Sequence, residues 1–225
     1  MLAIAGEAPR KEEMKAAALS RGEQVIREGI EVRLNTPVTA SLLEELEPDE
    51  VVVAIGAAPM ELKVPGGQLT KVTNSHDVLS GKAMVSGNVV IVGGGLVGLE
   101  VAEYLHGKAS NITVVEMLDK VAKDLGELRS ICVMESLHES GVHILTSAKC
   151  LEINELGVVI ESQGDISTYP CDSVVIAIGA KSRGYESLHT FCDERHIPMH
   201  VIGDALQARR ALNAVSEAHE VARMI

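Results

Sequence analysis

The sequence predicts an α/β fold built on a buried parallel sheet, and three stretches predict it. The first is Asn88–Glu116, NVVIVGGGLVGLEVAEYLHGKASNITVVE. A β-branched run, Val89–Val92, leads through a glycine turn into apolar residues at helical spacing, Leu96, Leu99, Ala102 and Leu105. A second run, Ile112–Val115, closes the stretch. The other two are Val51–Ala57, VVVAIGA, and Val174–Ala180, VVIAIGA, near-copies that each end in Ile-Gly-Ala. Two similar sheets, one inserted in the other, would produce such an echo. Two unrelated buried strands rich in Val and Ile would produce it as well.

The glycine turn carries a chemistry. Gly93, Gly95 and Gly98 form G-x-G-x-x-G between strand and helix, with Gly94, Leu96 and Val97 as the intervening residues. The first glycine allows the tight turn, the second lets the backbone approach a pyrophosphate, and the third lets the helix pack on the sheet. The anion would sit at the helix N-terminus, where free N–H groups and the dipole attract it. Glu116 lies 23 residues after Gly93, suited to accept hydrogen bonds from a ribose 2′- and 3′-hydroxyl pair. Strand, turn, helix, strand and terminal acid in this order predict a Rossmann-like nucleotide site; a glycine-rich turn without a ligand is the bland alternative. Met117, Leu118, Asp119 and Lys120 follow, with one Lys and no Arg for a 2′-phosphate, so NAD rather than NADP is expected.

Composition excludes other classes. The chain has 225 residues, 46% of them hydrophobic, enough for proper cores in one or two domains. A net charge of −12 argues against nucleic acid and against an anionic membrane surface. No apolar run reaches the roughly 18–20 residues that span a bilayer, and the N-terminus has no signal pattern. Cys132, Cys150, Cys171 and Cys192 are scattered, without C-x-x-C spacing, which suits reduced thiols in the cytoplasm and gives no metal site. With only 2% aromatic residues, the cores must be aliphatic.

The rest of the chain follows in order. Pro9 suits a first helical turn, and Lys11–Glu28 reads as a helix with Met14, Ala17, Ala18, Val25 and Ile26 as its buried stripe and Gly29 as its stop. Glu31–Leu34 reads as a short strand. Thr39 or Ser41 caps a helix to Leu46, and Glu50–Ile55 is a buried strand. Asn74 or Ser75 caps Asp77–Leu79, and Gly81–Gly87 reads as a linker. Gly126–Ser140 is helical, with Leu128, Ile131, Cys132 and Leu137 facing inward. Val142–Leu145 is a strand, Lys149–Asn154 and Val158–Ser162 are antiparallel strands, and Asp172–Ile178 is buried again. Tyr185–Glu194 reads as a helix and Met199–Ile202 as a strand. Arg209–Met224 is a last helix with Ala211, Val215, Ala218 and Ala222 on one face.

Taken together, these motifs resemble a known family. The chain is similar to the C-terminal FAD/NAD(P)-binding region of pyridine nucleotide-disulfide oxidoreductase-like flavoproteins. Within them it looks like the old yellow enzyme-related NADH oxidase and 2,4-dienoyl-CoA reductase group, which includes trimethylamine dehydrogenase. LAIAGEAPRKEEM resembles the segment after that family's first nucleotide-binding unit. VVVAIGAAP resembles its A-T-G-x-x-P strand and turn, with Ile55 where Thr is common. VVIVGGGLVGLEVAEYL, with Glu100, resembles its NAD motif, and VIGDA (Val201–Ala205) its second flavin motif.

The resemblance implies a Rossmann-like NAD-binding domain, residues 86–180, inserted in an incomplete FAD-binding-type three-layer domain, residues 1–80 and 185–225. It implies that Asp204 binds a flavin's ribityl chain and that Gly203 opens the pyrophosphate-facing turn. It also implies that the first FAD phosphate loop, an FMN barrel and an iron–sulfur cluster are missing, so the chain looks like an N-terminally truncated fragment. A parent would pass hydride from NADH to FAD, whereas the isolated chain is expected to be inactive and to hold FAD poorly. A non-catalytic module binding ADP or NAD is the alternative, and self-association is compatible with either. Hinges are expected at Ser75–Gly87 and Lys181–Tyr185.

Several residues carry two readings. Asp204 is a flavin contact or a helix cap. Gly56 and Gly179 allow close cofactor approach or simply end buried strands. Glu100 supports the nucleotide loop or is an acid favoured by the helix dipole. Arg209 and Arg210, and likewise Lys181 and Arg183, reach a phosphate or form a solvated face. Cys132 reads as core. No acid, base or nucleophile suggests itself as catalytic.

Overall fold

The computed structural model of the chain describes residues 1–123 and 125–225, and for Glu127 the backbone only. It opens with a short helix, α1 (Leu2–Ala5), and a long one, α2 (Glu12–Arg27). Glu12 and Glu13 in the first turn and Arg27 in the last complement the α2 dipole. The stripe expected to be buried is not: no residue of α2 is buried, and Ile26 is 67% exposed. Helical spacing identifies an apolar face but not whether another element covers it.

The strand expected at Glu31–Leu34 does not form; the segment runs as coil and a turn into left-handed Asn35. No neighbouring strand offers it a ladder among the described residues. α3 (Ala40–Leu46) is capped by Thr39, whose hydroxyl accepts from the Leu42 N–H at 3.2 Å. Then come β1 (Val51–Val53), β2 (Ala57–Pro59), β3 (Val72–Asn74) and α4 (Ser75–Leu79). Asn74 is the α4 cap, its side chain accepting from the Asp77 N–H at 3.0 Å. The anticipated strand–turn–helix–strand appears as β4 (Asn88–Val92), α5 (Leu96–Leu105) and β5 (Asn111–Val115). It is followed by α6 (Glu127–Glu139), β6 (His143–Leu145), β7 (Ala148–Ile153), β8 (Gly157–Ser162), β9 (Asp165–Pro170) and β10 (Ser173–Ile176). The chain ends with β11 (Ala180–Ser182), α7 (Glu186–Glu194), β12 (Met199–Val201), a 3-10 turn at Gly203–Ala205, and α8 (Ala211–Val221).

These elements form two compact units. The first holds Met1–Leu19 and Pro59–Gly179; the second holds Ser20–Ala58 and Ala180–Ile225. In sequence the two units alternate, Met1–Leu19 of the first preceding the second and Pro59–Gly179 lying between the second's two segments.

The first unit has three layers. Its central sheet runs β3-β10-β4-β5-β6, with every adjacent pair parallel. Side chains alternate across it. Val89 and Ile91 of β4, Ile112 and Val114 of β5, and Val175 just before the end of β10 pack with Leu99, Val101, Ala102 and Leu105 of α5 and Leu137 of α6. Val90, Val92, Val115, Val174 and Ile176 face the other way, onto Cys150, Ile153, Val158 and Ile160. Those residues belong to the antiparallel sheet β7-β8-β9, of which β9 was not anticipated. A sheet covered on both faces explains why its strands read as unbroken apolar runs.

Three expectations fail in this unit. The division near residues 80–86 does not coincide with a unit boundary, and Ser75–Gly87 is no hinge between units. α4 lies within the first unit with Ser75, Val78 and Leu79 buried, and β3 pairs with β10. α6 turns Leu137 inward, with Val133 and Met134 beside it, while Leu128, Ile131 and Cys132 face out. Cys132 is therefore not core. The helix faces the sheet by a different stripe because its tilt is set by packing on α5, which periodicity does not encode.

In the second unit β1 and β12 pair in parallel, Val51 opposite Met199 and Val53 opposite Val201. Leu43 of α3 packs with Leu188, Phe191 and Cys192 of α7, and Arg195 reaches Glu44 at 2.8 Å. The Ile-Gly-Ala echo has a structural counterpart. Gly56 (φ 73°) leads from β1 into β2, and Gly179 (φ 114°) leads from β10 into β11; β2 and β11 are hydrogen-bonded neighbours. The expected Lys181–Tyr185 hinge thus starts inside a paired strand. α8 buries Val221, while Ala211, Val215, Ala218 and Ala222 face out.

Thiol chemistry tests this core. Burial pushes the Cys150 thiol up to about 11 and raises those of Cys171 and Cys192 as well. A raised thiol value means little thiolate, the reactive form, at pH 8. Native protein treated with a maleimide at pH 8 should label rapidly at exposed Cys132 alone, and at all four cysteines once unfolded. Mass spectrometry of the native digest would read the difference.

Candidate functional site

The glycine turn sits where the first unit's sheet changes direction. From β4 the chain proceeds to β5 and β6 on one side, while β10 and β3 lie on the other. A crevice opens at the carboxyl ends of the strands at such a switch point, and open parallel sheets bind ligands there.

Three of the turn's glycines are required by the chain's own packing. Gly93 has φ 114°, its N–H donates to the Val115 carbonyl at 2.8 Å, and a Cβ would run into the Ala177 carbonyl. At Gly98 a Cβ would overlap the Gly93 carbonyl oxygen. At Gly94 it would lie 2.5 Å from Val121 Cγ1 and 2.9 Å from Glu116 Cβ. Gly95 differs. Its φ of −73° suits any residue, and a Cβ there would meet nothing within 4 Å. The fold does not need a glycine at this position, and the space beside it is open. Among the described residues, no acceptor is bonded to the N–H groups of Gly95, Leu96, Val97 or Gly98. Val97 is exposed beside Gly95, while Gly98 is buried.

Glu116 is buried, and both of its carboxylate oxygens already accept hydrogen bonds. Oε2 accepts from the Gly94 N–H at 2.7 Å and Oε1 from the Leu118 N–H at 2.8 Å. Its own N–H donates to the Leu145 carbonyl at 2.8 Å, and the Ala122 N–H donates to the Gly94 carbonyl at 2.9 Å. The acid therefore ties the end of β5 to the glycine turn. A carboxylate has about four lone-pair positions, and these two hydrogen bonds use two of them. Beyond it, Met117 and Leu118 are exposed, and Asp119 pairs with Lys123 at 2.8 Å. Glu100 does not support the loop. Its carboxylate pairs with Lys11, as Glu103 pairs with Arg10 at 2.6 Å, and together they bind residues 10–11 to α5.

The second unit carries the other candidates. β1 pairs in parallel with β12, so Ile55 and Gly56 follow one strand and Gly203 and Asp204 follow its neighbour. The Ile202 N–H donates to the Val53 carbonyl at 3.0 Å. Asp204 is not a side-chain cap of α8; its Oδ1 accepts from the Arg209 N–H at 3.1 Å, ahead of the helix. Arg209 is exposed, and its guanidinium pairs with Glu217. Glu217 Oε2 in turn accepts from the Gly203 N–H at 2.7 Å. Sequence reasoning missed Glu217 because its partner lies one helix turn and a loop away, with no local pattern to mark it. Gly179 belongs to the first unit and lies exposed near Met60, with which it shares a backbone hydrogen bond of 2.9 Å.

Two measurements test these geometries. Gly98→Ala should lower Tm clearly, whereas Gly95→Ala should leave stability within about 0.5 kcal/mol. The Gly203 N–H and the Arg209 guanidinium hold the Glu217 carboxyl below the usual carboxylate range. A lowered folded-state value gives stability that is present above the ordinary value and lost as pH falls through the folded one. Glu217→Gln should therefore flatten the acid side of the stability–pH curve, read by urea denaturation from pH 7 down to pH 3.

With this geometry in hand, comparison with known proteins is informative. Residues 6–197 match the family model described as pyridine nucleotide-disulphide oxidoreductase. The whole chain aligns with the NADH oxidase of Thermoanaerobacter brockii at 33% identity, covering 35% of that protein. It aligns as fully with the bilirubin reductase of Mediterraneibacter gnavus at 30% identity, again covering 35%. A structure of 2-naphthoyl-CoA reductase with 2-naphthoyl-CoA superposes on all of the chain with a TM-score of 0.90 at 25% identity, over 34% of that protein. The chain thus spans about a third of the length of the relatives it matches. No helix among the described residues is long and apolar enough to cross a membrane. The family binds FAD and NAD(P). The chain belongs to the pyridine nucleotide-disulphide oxidoreductase family.

Proposed function

We propose that this chain forms the NADH-accepting part of a flavin oxidoreductase of the old yellow enzyme-related NADH oxidase and 2,4-dienoyl-CoA reductase type. Gly95 carries the reading. It is a glycine that nothing in the protein's own packing demands, flanked by N–H groups without acceptors, at the switch point of a parallel sheet. In this reading the backbone of Gly95, Leu96, Val97 and Gly98 takes the NAD pyrophosphate. The two remaining lone-pair positions of Glu116 take its ribose hydroxyls, while Gly93 and Gly94 shape the turn. A buried Glu116 carboxyl with no arginine beside it among the described residues favours NAD over NADP.

FAD in the whole protein is assigned to the second unit. Asp204 keeps Oδ2 without a partner among the described residues, and Gly203 is held by Glu217. Ile55, Gly56 and Gly179 border the strand ends from which the cofactors would be approached. Nicotinamide and flavin supply the hydride chemistry when bound. The chain's residues bind and orient, and none is assigned as an acid or base. Electrons would pass on to a domain outside this chain, an FMN- and iron–sulfur-bearing barrel. The four free cysteines support a reducing compartment, the cytoplasm.

Fluorescence titration of the purified chain with NADH and NADPH tests the site, and the visible spectrum tests the flavin. NADH should bind more tightly than NADPH, and Gly95→Val should weaken it at least about tenfold at unchanged Tm. NADH binding that ignores Gly95→Val, or no binding, would overturn the assignment. A yellow protein bleached by NADH supports the oxidoreductase, whereas a colourless protein that binds NADH supports a non-catalytic ADP/NAD-binding module.

A further inference from the structure

Two acids share one arginine at the Gly203–Asp204 turn. Arg209 donates its backbone N–H to Asp204 Oδ1 at 3.1 Å, and its guanidinium pairs with Glu217 Oε1. Glu217 stands on α8, and its Oε2 accepts from the Gly203 N–H at 2.7 Å. The Gly203 carbonyl accepts from the N–H groups of Leu206 at 3.0 Å and Gln207 at 3.1 Å. These bonds close a ring, from Gly203 through Glu217 and Arg209 to Asp204, and all of it lies in the second unit. Among the described residues, Asp204 Oδ2 is the one carboxylate oxygen of the ring with no partner.

The placement of the guanidinium is the informative feature. An arginine fork closes on a carboxylate with two parallel bonds and occupies both of its oxygens. Asp204 is bonded to the backbone of Arg209, yet the guanidinium sits on Glu217, the acid farther along the chain. The Glu217 side chain is only 20% exposed, so salt and water screen this pair less than one on the open surface. Glu217 thereby does two things at once. It fixes the start of the turn through Gly203, and it keeps the one cation bonded to that turn turned away from the acid at its centre.

We propose, on the assignment of Asp204 to a flavin's ribityl chain, that Glu217 is a positioning residue for that contact. By holding the Arg209 guanidinium, it leaves Asp204 Oδ2 open to accept a ligand hydroxyl. Without the Glu217 charge, the guanidinium is released to Asp204, whose remaining acceptor positions it then takes. The site is blocked by the chain's own side chain while the turn itself stays folded.

FAD in excess, titrated into the purified chain at pH 7 and followed by quenching of flavin fluorescence, tests the role. Asp204→Ala should weaken binding, which checks the flavin assignment itself. Glu217→Gln should weaken it at least about fivefold, the loss of one hydroxyl–carboxylate bond. Adding Arg209→Ala to Glu217→Gln should bring the affinity back to within about twofold of the starting protein, because no guanidinium is left to cover Asp204. Simple support of the turn by Glu217 gives the opposite result, a double variant no better than the single one. Circular dichroism checks that each variant is folded. FAD binding that is absent, or that ignores Asp204→Ala, overturns the flavin assignment and the role of Glu217 with it. Binding that responds to Asp204→Ala but is unchanged or tightened by Glu217→Gln, or is not restored in the double variant, overturns the positioning role alone.

Discussion

The first unit depends on one close approach, that of α5 to the turn beneath it. The Cα of Gly98 packs on the Gly93 carbonyl so tightly that no side-chain atom fits between them. That contact fixes the helix start against the strand end. It directs the uncapped N–H groups of the helix toward the edge of the switch-point crevice. Everything else supports it. β4 is buried on both faces, so it cannot slide, and Val115 receives the Gly93 N–H from the neighbouring strand. Of the turn's four glycines, Gly93, Gly94, Gly95 and Gly98, only Gly95 is left unconstrained by the protein.

Glu116 is the second anchor. A buried carboxylate is costly unless its oxygens are satisfied, and here backbone N–H groups from Gly94 and Leu118 satisfy both. The acid is thus part of the loop's architecture before it meets any ligand. The second unit repeats the logic in another form, with Glu217 holding the Gly203 N–H and Arg209 joining it to Asp204. In both units a carboxylate organises a glycine turn at a strand end. Each turn is rigid where the chain supplies partners and open where it does not.

Much of this was legible in the residue order. The run Val89–Val92, the glycine spacing and the terminal acid describe contacts among neighbours in sequence, and they appear as β4, α5 and β5. The caps at Thr39 and Asn74 were legible for the same reason: a side chain bonding three residues ahead is a local event. The failures are of another kind. The apolar stripe of α2 and, Leu137 apart, that of α6 were correctly assigned to helices and wrongly to the interior. Leu128, Ile131 and Val215 face solvent because the orientation of a helix depends on what packs against it.

The sequence by itself determined the α/β class and the strand, glycine turn, helix and strand of Asn88–Val115, because strand, turn and helix signals act over a few residues. Tertiary structure decided which glycines the fold requires and which one it leaves unconstrained. It showed that Glu116 and Arg209 are already engaged, and it brought Glu217 to the Gly203 turn. The physical reason is common to all three: each depends on atoms brought together from distant positions, and a side chain's free hydrogen-bonding capacity is known only once its neighbours in space are known.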